Sequence, residues 1–93
     1  MKLWLIRPVD GLGEKDDPWE PWFDKSFGFV VRAETEDRAR QIANANGDDE
    51  VCSKYTQPRP LKCDPWLHER YSTCTELTPD GGEDIIMKDF ARA

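Results

Sequence analysis

The sequence predicts an α+β fold: a three- to four-stranded, mainly antiparallel sheet with one helix packed on one face and a long loop rich in tryptophan and proline. Three observations carry this expectation. Leu3 to Ile6 and Phe27 to Ala33 have the apolar, β-branched and aromatic make-up of strands. One stretch after Thr35 carries the i, i+3, i+4 apolar spacing of a helix. The whole chain, 93 residues, suffices for one core and is too short to divide it, so residues 1–93 are expected to form a single domain.

Taken in order, Lys2 to Arg7 reads as a first strand that Pro8 ends, with Leu3 and Leu5 on one face and Trp4 and Ile6 on the other. From Val9 to Ser26 the composition changes to six carboxylates (Asp10, Glu14, Asp16, Asp17, Glu20, Asp24), with prolines, glycines and the rings of Trp19, Trp22 and Phe23. Such a loop exceeds the roughly 12 to 15 residues that compact domains carry without a purpose. The second strand, Phe27 to Ala33, puts Phe27, Phe29, Val31 and Ala33 on a core face, and Trp4, Ile6 and Val30 are expected on the opposite, otherwise wet face.

Thr35 is a good N-cap, Glu36 and Asp37 suit the positive end of the helix dipole, and Ala39, Ile42 and Ala43 form the apolar stripe. Gly47 is expected to supply a left-handed exit, with the helix's charges turned outward. Val51 to Tyr71 reads as mostly irregular. Tyr71 to Leu77 and Asp84 to Phe90 are expected to pair as a hairpin across the turn signal Thr78-Pro79-Asp80-Gly81-Gly82.

Nineteen acidic against 13 basic residues give a net charge of −6, which opposes attraction to phosphate backbones, so direct nucleic-acid binding is not expected and a basic partner is favoured. No apolar run approaches the roughly 18 residues of a spanning helix, and Met1-Lys2 with the short run after it lacks the pattern of a secretory signal. Three cysteines, an odd number, argue against a closed disulfide framework; free cysteines in a reducing, cytoplasmic setting are the natural expectation.

The segment Asp17 to Asp24 is the least ordinary part of the chain, with two tryptophans each directly after a proline and framed by carboxylates. Either its rings roof the second face of the sheet, or they present a stiff aromatic anchor with an acidic rim, as protein-binding hot spots do. On the second reading the partner-binding residues are Asp16, Asp17, Trp19, Glu20, Trp22 and Asp24. Cys52, Cys63, His68 and Cys74 are the residue types of a Cys3His zinc site, but their intervals of 11, 5 and 6 residues miss the usual knuckle spacing. The competing disulfides are Cys63 with Cys74 and Cys52 with Cys74.

His68, the sole histidine, has no orienting residue or nucleophile elbow at a recognisable spacing, so no catalytic residue is assigned. Gly11-Leu12-Gly13 lacks the third glycine of a phosphate loop. Lys54, Arg59, Lys62 and Arg70, interleaved with Tyr55 and Trp66, form a local basic and aromatic stretch too small to override the global charge. No cofactor is expected.

Asp17 to Lys25, Phe27 to Glu34 and Ile85 to Phe90 together resemble a family of small uncharacterised phage and bacterial proteins. That family has no assigned reaction, so the resemblance implies a mobile-element context and no catalytic residue; Gln57 to Cys63 looks like an insertion relative to it. The functional expectation is a non-catalytic protein-binding module, a phage-type inhibitor of the anti-CRISPR or nucleic-acid-mimic kind, acting as a monomer or small homo-oligomer on a basic or nucleic-acid-binding protein. A small zinc-stapled domain and a small-ligand protein or enzyme are the alternatives.

Overall fold

The computed structural model describes residues 1–13, 15–52 and 63–88. Its elements are β1 (Lys2–Pro8), β2 (Phe29–Ala33), α1 (Glu36–Ala45), two short 3-10 turns (Asp49–Val51 and Pro65–Leu67) and β3 (Ser72–Leu77). The strands form one antiparallel sheet in the order β2-β1-β3, with α1 against one face, so the fold is α+β as the sequence predicts. Among the described residues no helix is long and apolar enough to cross a membrane.

The register decides which residues are inside. Trp4 lies opposite Val31 and Glu76, and Ile6 opposite Phe29 and Cys74. Directly opposed residues share a face, so Trp4 and Ile6 join Phe29, Val31 and Ala33 on the helix side, and Leu3, Leu5 and Val30 take the other. This corrects the expected placement of Trp4 and Ile6 with Val30. Each of these strands is apolar on both faces, so its own alternation could not choose; pairing does. Trp4 then completes its polar end by donating from Nε1 to Ala33 O at 3.0 Å, and Ile6 is wholly buried, worth roughly 2–3 kcal/mol.

Helix α1 starts where Thr35, in extended backbone, accepts from Arg38 N at 3.2 Å through Oγ1. Ala39 and Ala43 are fully buried, and their small side chains let the helix lie close to the sheet. One charge does not point outward. Arg40 turns in, donating from Nε to Glu36 Oε2 (3.0 Å), from Nη1 to Trp66 O (3.1 Å) and Ser72 Oγ (2.8 Å), and from Nη2 to Ser72 O (3.1 Å). A guanidinium can be buried at acceptable cost when its donors are met, as here.

The helix exit also differs from expectation. Asn46 caps it at φ −110°, and Gly47 is not in the left-handed region. Gly47 is required by space: a Cβ there would stand 2.5 Å from Val51 Cγ2 and 2.7 Å from Glu50 Oε2.

The expected second hairpin is absent among the described residues. Residues 84–88 form no strand, and Ile85, Ile86 and Met87 are exposed. Met87 instead lines an open groove with Leu5, Arg7, Phe27 and Val30 on the second sheet face. Ile85-Ile86-Met87 is a continuous apolar run without period-2 alternation, so nothing in it directs one side toward β3. Asp89 and Phe90, the end of that expected strand, lie outside the described residues, as do Glu14, Lys54, Tyr55, Gln57, Arg59 and Lys62.

The close packing at Gly47 gives a direct test. Gly47→Ala lowers unfolding stability in urea by about 1–3 kcal/mol through overpacking, whereas Gly82→Ala, with nothing within 4 Å of its added carbon, leaves the midpoint unchanged.

Candidate functional site

The loop from Val9 to Gly28 is ordered by short-range bonds that its own residues make. Asp16 N and Asp17 N both donate to Gly13 O at 2.9 Å, and Asp17 Oδ1 accepts from Trp19 N at 2.9 Å. Glu20 N reaches Asp17 O at 3.3 Å and Trp22 N reaches Trp19 O at 3.2 Å. Pro18 is buried, and its fixed φ lowers the entropy that this ordering costs.

Trp19, 1% exposed, is core. Its ring meets Trp66 edge-on at 5.1 Å, and Trp66 meets Phe29 edge-on at 4.9 Å. Its Nε1 has no hydrogen-bond partner, so the ring is held by packing area alone. The cluster sits on the helix side of the sheet, not over Leu3, Leu5 and Val30, so the loop does not roof the second face. Trp22 is half-buried, whereas Phe23 is 99% exposed.

The far end of the loop is tied to the segment after α1. Asp49 N donates to Asp24 O at 2.9 Å, Ser26 N to Glu50 Oε1 at 3.0 Å, and Ser26 Oγ to Asp48 Oδ2 at 2.6 Å. Lys25 Nζ donates to Trp19 O at 3.2 Å and stands 5.2 Å from the centre of the Phe27 ring, bracing the loop across its own base. Glu50, fully buried, takes two more donors on Oε2: Asp48 N at 3.0 Å and Trp66 Nε1 at 2.8 Å.

Of the sequence-derived partner-binding residues, Asp16, Glu20 and Asp24 are exposed, Asp17 and Trp22 are half-buried, and Trp19 is sealed in the core. Phe23 is the exposed ring that sequence reasoning left out of that set.

Cys52 and Cys63 are joined in a disulfide, their Cα atoms 5.5 Å apart and both residues buried. This corrects the expectation of free cysteines and differs from both pairings proposed with Cys74. An odd count forbids complete pairing but not one bridge, and the 11-residue separation closes a loop whose entropy is worth about 3 kcal/mol in the chain-entropy picture. Cys74 is the free thiol. A half-cystine offers no thiolate to zinc, and among the described residues no three of His, Cys, Asp or Glu come together as metal ligands.

His68 is exposed and meets Tyr71 edge-on at 6.4 Å. The Cys74 thiol is pushed up from its ordinary value near 9.0, chiefly by burial; Glu36 adds to the rise and the Arg40 guanidinium opposes it. That is the reverse of what activates a cysteine nucleophile.

No family model matches this chain, and neither a curated protein nor a solved structure was found that resembles it.

Two outcomes follow. Trp19→Ala costs about 3–5 kcal/mol in urea unfolding because it empties a core site, while Phe23→Ala changes stability by less than about 0.5 kcal/mol. For Cys74, raising the folded value stabilises the protonated fold, so this contribution is intact at neutral pH and is lost as pH climbs through the alkaline range. The alkylation rate of Cys74 by iodoacetamide accordingly reaches half its maximum at a pH above that of free cysteine; a midpoint at or below it means that the thiol is not desolvated.

Proposed function

We propose that this chain is a non-catalytic protein-binding module that docks a basic partner through the loop bearing Phe23. The observation that carries this reading is the contrast between an anchored loop and its exposed ring. Trp19 fixes one side of the loop in the core and Asp24 and Ser26 fix the other, yet Phe23 stands 99% exposed between them. An ordered aromatic loses little entropy on association, and burying one contributes about 2–3 kcal/mol. Asp16, Glu20 and Asp24, all exposed, supply acidic groups on the same loop. The partner-binding set accordingly loses Trp19 and gains Phe23.

The net charge of −6 supports a basic partner and opposes direct nucleic-acid binding. In its fuller form the reading is a phage-type inhibitor whose carboxylates stand in for phosphates on a host nucleic-acid-handling complex, anti-CRISPR-like in kind; small size, acidity and the exposed ring beside carboxylates support it. The cytoplasmic setting expected from the cysteine count sits less easily with the Cys52–Cys63 bridge, which belongs to oxidising compartments.

The test is paired capture from host lysate with wild type, Phe23→Ala and the double variant Glu20→Gln, Asp24→Asn. The expected result is one basic partner retained by wild type, with affinity lowered at least tenfold by Phe23→Ala and its on-rate slowed by the charge variant and by added salt. Retention that is indifferent to Phe23 and to ionic strength overturns the reading.

A further inference from the structure

We propose that the Cys52–Cys63 disulfide is a redox-set latch on the Phe23 loop: closed, it holds the loop docked; open, it releases the loop while the sheet stays folded. The proposal rests on the loop being the docking element and concerns its regulation.

The bridge joins the two short turns that hold the loop. Cys52 ends the Asp49–Val51 turn, and Cys63 stands two residues before the Pro65–Leu67 turn. The first turn provides Glu50 Oε1 for Ser26 N and Asp49 N for Asp24 O, and the second provides the Trp66 ring that packs on Trp19. The two turns are joined to each other by the 2.8 Å bond between Glu50 Oε2 and Trp66 Nε1. A three-residue 3-10 turn has few bonds of its own; the Pro65–Leu67 turn is fixed to the body by Arg40 on Trp66 O and Ser72 Oγ on Pro65 O, and the bridge and the Glu50–Trp66 bond tie the Asp49–Val51 turn to it.

The backbone on both sides of the bridge is strained in the same sense. Cys52 has φ 65° and Asp64 has φ 58°, both in the left-handed region. Non-glycine residues stay there when the surroundings over-determine them. Opening the bridge frees Cys52 to leave that region, and the end of the Asp49–Val51 turn moves with it. The bonds from this turn to Asp24 and Ser26 are then the first to loosen, one residue from Phe23.

The sheet has separate support. The β2-β1-β3 ladder, Trp4 Nε1 on Ala33 O, and Arg40 on Ser72 do not pass through the bridge. Opening is therefore local, as expected of a cooperative unit weaker than the core.

The chemistry is a two-electron exchange with a dithiol. One thiolate of the dithiol attacks a bridge sulfur and forms a mixed disulfide, expelling the other cysteine as thiolate. The second thiolate of the dithiol then displaces the first cysteine. The dithiol ends as its own disulfide, and Cys52 and Cys63 end as thiols after taking up two protons. Both cysteines are buried, so attack requires the turn to open first, and a docked loop slows reduction.

The experiment is hydrogen exchange on the full chain, oxidised, treated with dithiothreitol, and as the double variant Cys52→Ser, Cys63→Ser. The amides of Ser26 and Asp49 report the tether, and those of β1 report the sheet. The expected result, in the reduced chain and in the variant alike, is exchange at Ser26 and Asp49 faster by about tenfold or more, with β1 changing by less than about twofold. Unchanged tether amides overturn the latch, and so does equal acceleration in β1, which would make the bridge a staple of the whole domain. This readout needs no partner. A tether shift together with capture that ignores Phe23 keeps the latch and discards the docking loop, whereas a Phe23-dependent capture without the shift does the opposite.

Discussion

The structure turns on one buried carboxylate. Glu50 receives Ser26 N, Asp48 N and the Trp66 indole N–H, and each donor comes from a different part of the chain: the end of the long loop, the exit of α1, and the irregular segment before β3. Sealing a carboxylate from water is costly unless its lone pairs are met, and here three donors meet them. The converse is as important. Three N–H groups of otherwise unrelated segments depend on one side chain, so none of the three can be placed without the others. Gly47 belongs to the same arrangement, because a methyl group at that position would occupy the space where Glu50 and Val51 close on the helix end.

Trp66 is held from both ends. Its indole donates to Glu50, while its carbonyl accepts from Arg40, whose guanidinium also grips Ser72 at the start of β3. Ser72 Oγ in turn donates to Pro65 O at 2.8 Å. A segment with no helical or strand periodicity is thus fixed by side-chain bonds to backbone atoms, and its tryptophan becomes the surface against which Trp19 and Phe29 pack. The helix side of the sheet is closed by this polar scaffold as much as by the aliphatic residues of α1, which are mainly alanines and too small to cover Trp4 and Ile6 by themselves.

What could be read from the sequence divides along the same line. The strands, the capped helix and the fold class follow from local periodicity and composition, and those expectations hold at β1, β2, α1 and β3. Sheet faces did not follow, since Leu3 to Ile6 is apolar on both sides and only the pairing of Trp4 with Val31 decides between them. Glu50 closes the run Asp48-Asp49-Glu50, which reads as a solvated acidic patch; its burial depends on donors 24 residues before and 16 residues after it. Arg40 looked like an outward charge for the same reason. The bridge was obscured by parity, because three cysteines suggest no framework, while the geometry needed to select Cys52 with Cys63 is tertiary.

Of the two readings that the loop's sequence offered, the roof over the second sheet face is not what forms. Trp19 instead packs into the core on the helix side, and Phe23 on the same loop is exposed. The i to i+3 bond from Trp22 N to Trp19 O closes a turn between a sealed indole and a half-buried one, and Phe23, the next residue, is exposed. Burial of Trp19 is what gives the exposed ring a defined position, since a free loop would spread Phe23 over many orientations and lose the advantage of a stiff anchor. Any partner that uses Phe23 draws on the core formed by Trp66 and Glu50, and through it on the covalent bridge two residues beyond Glu50.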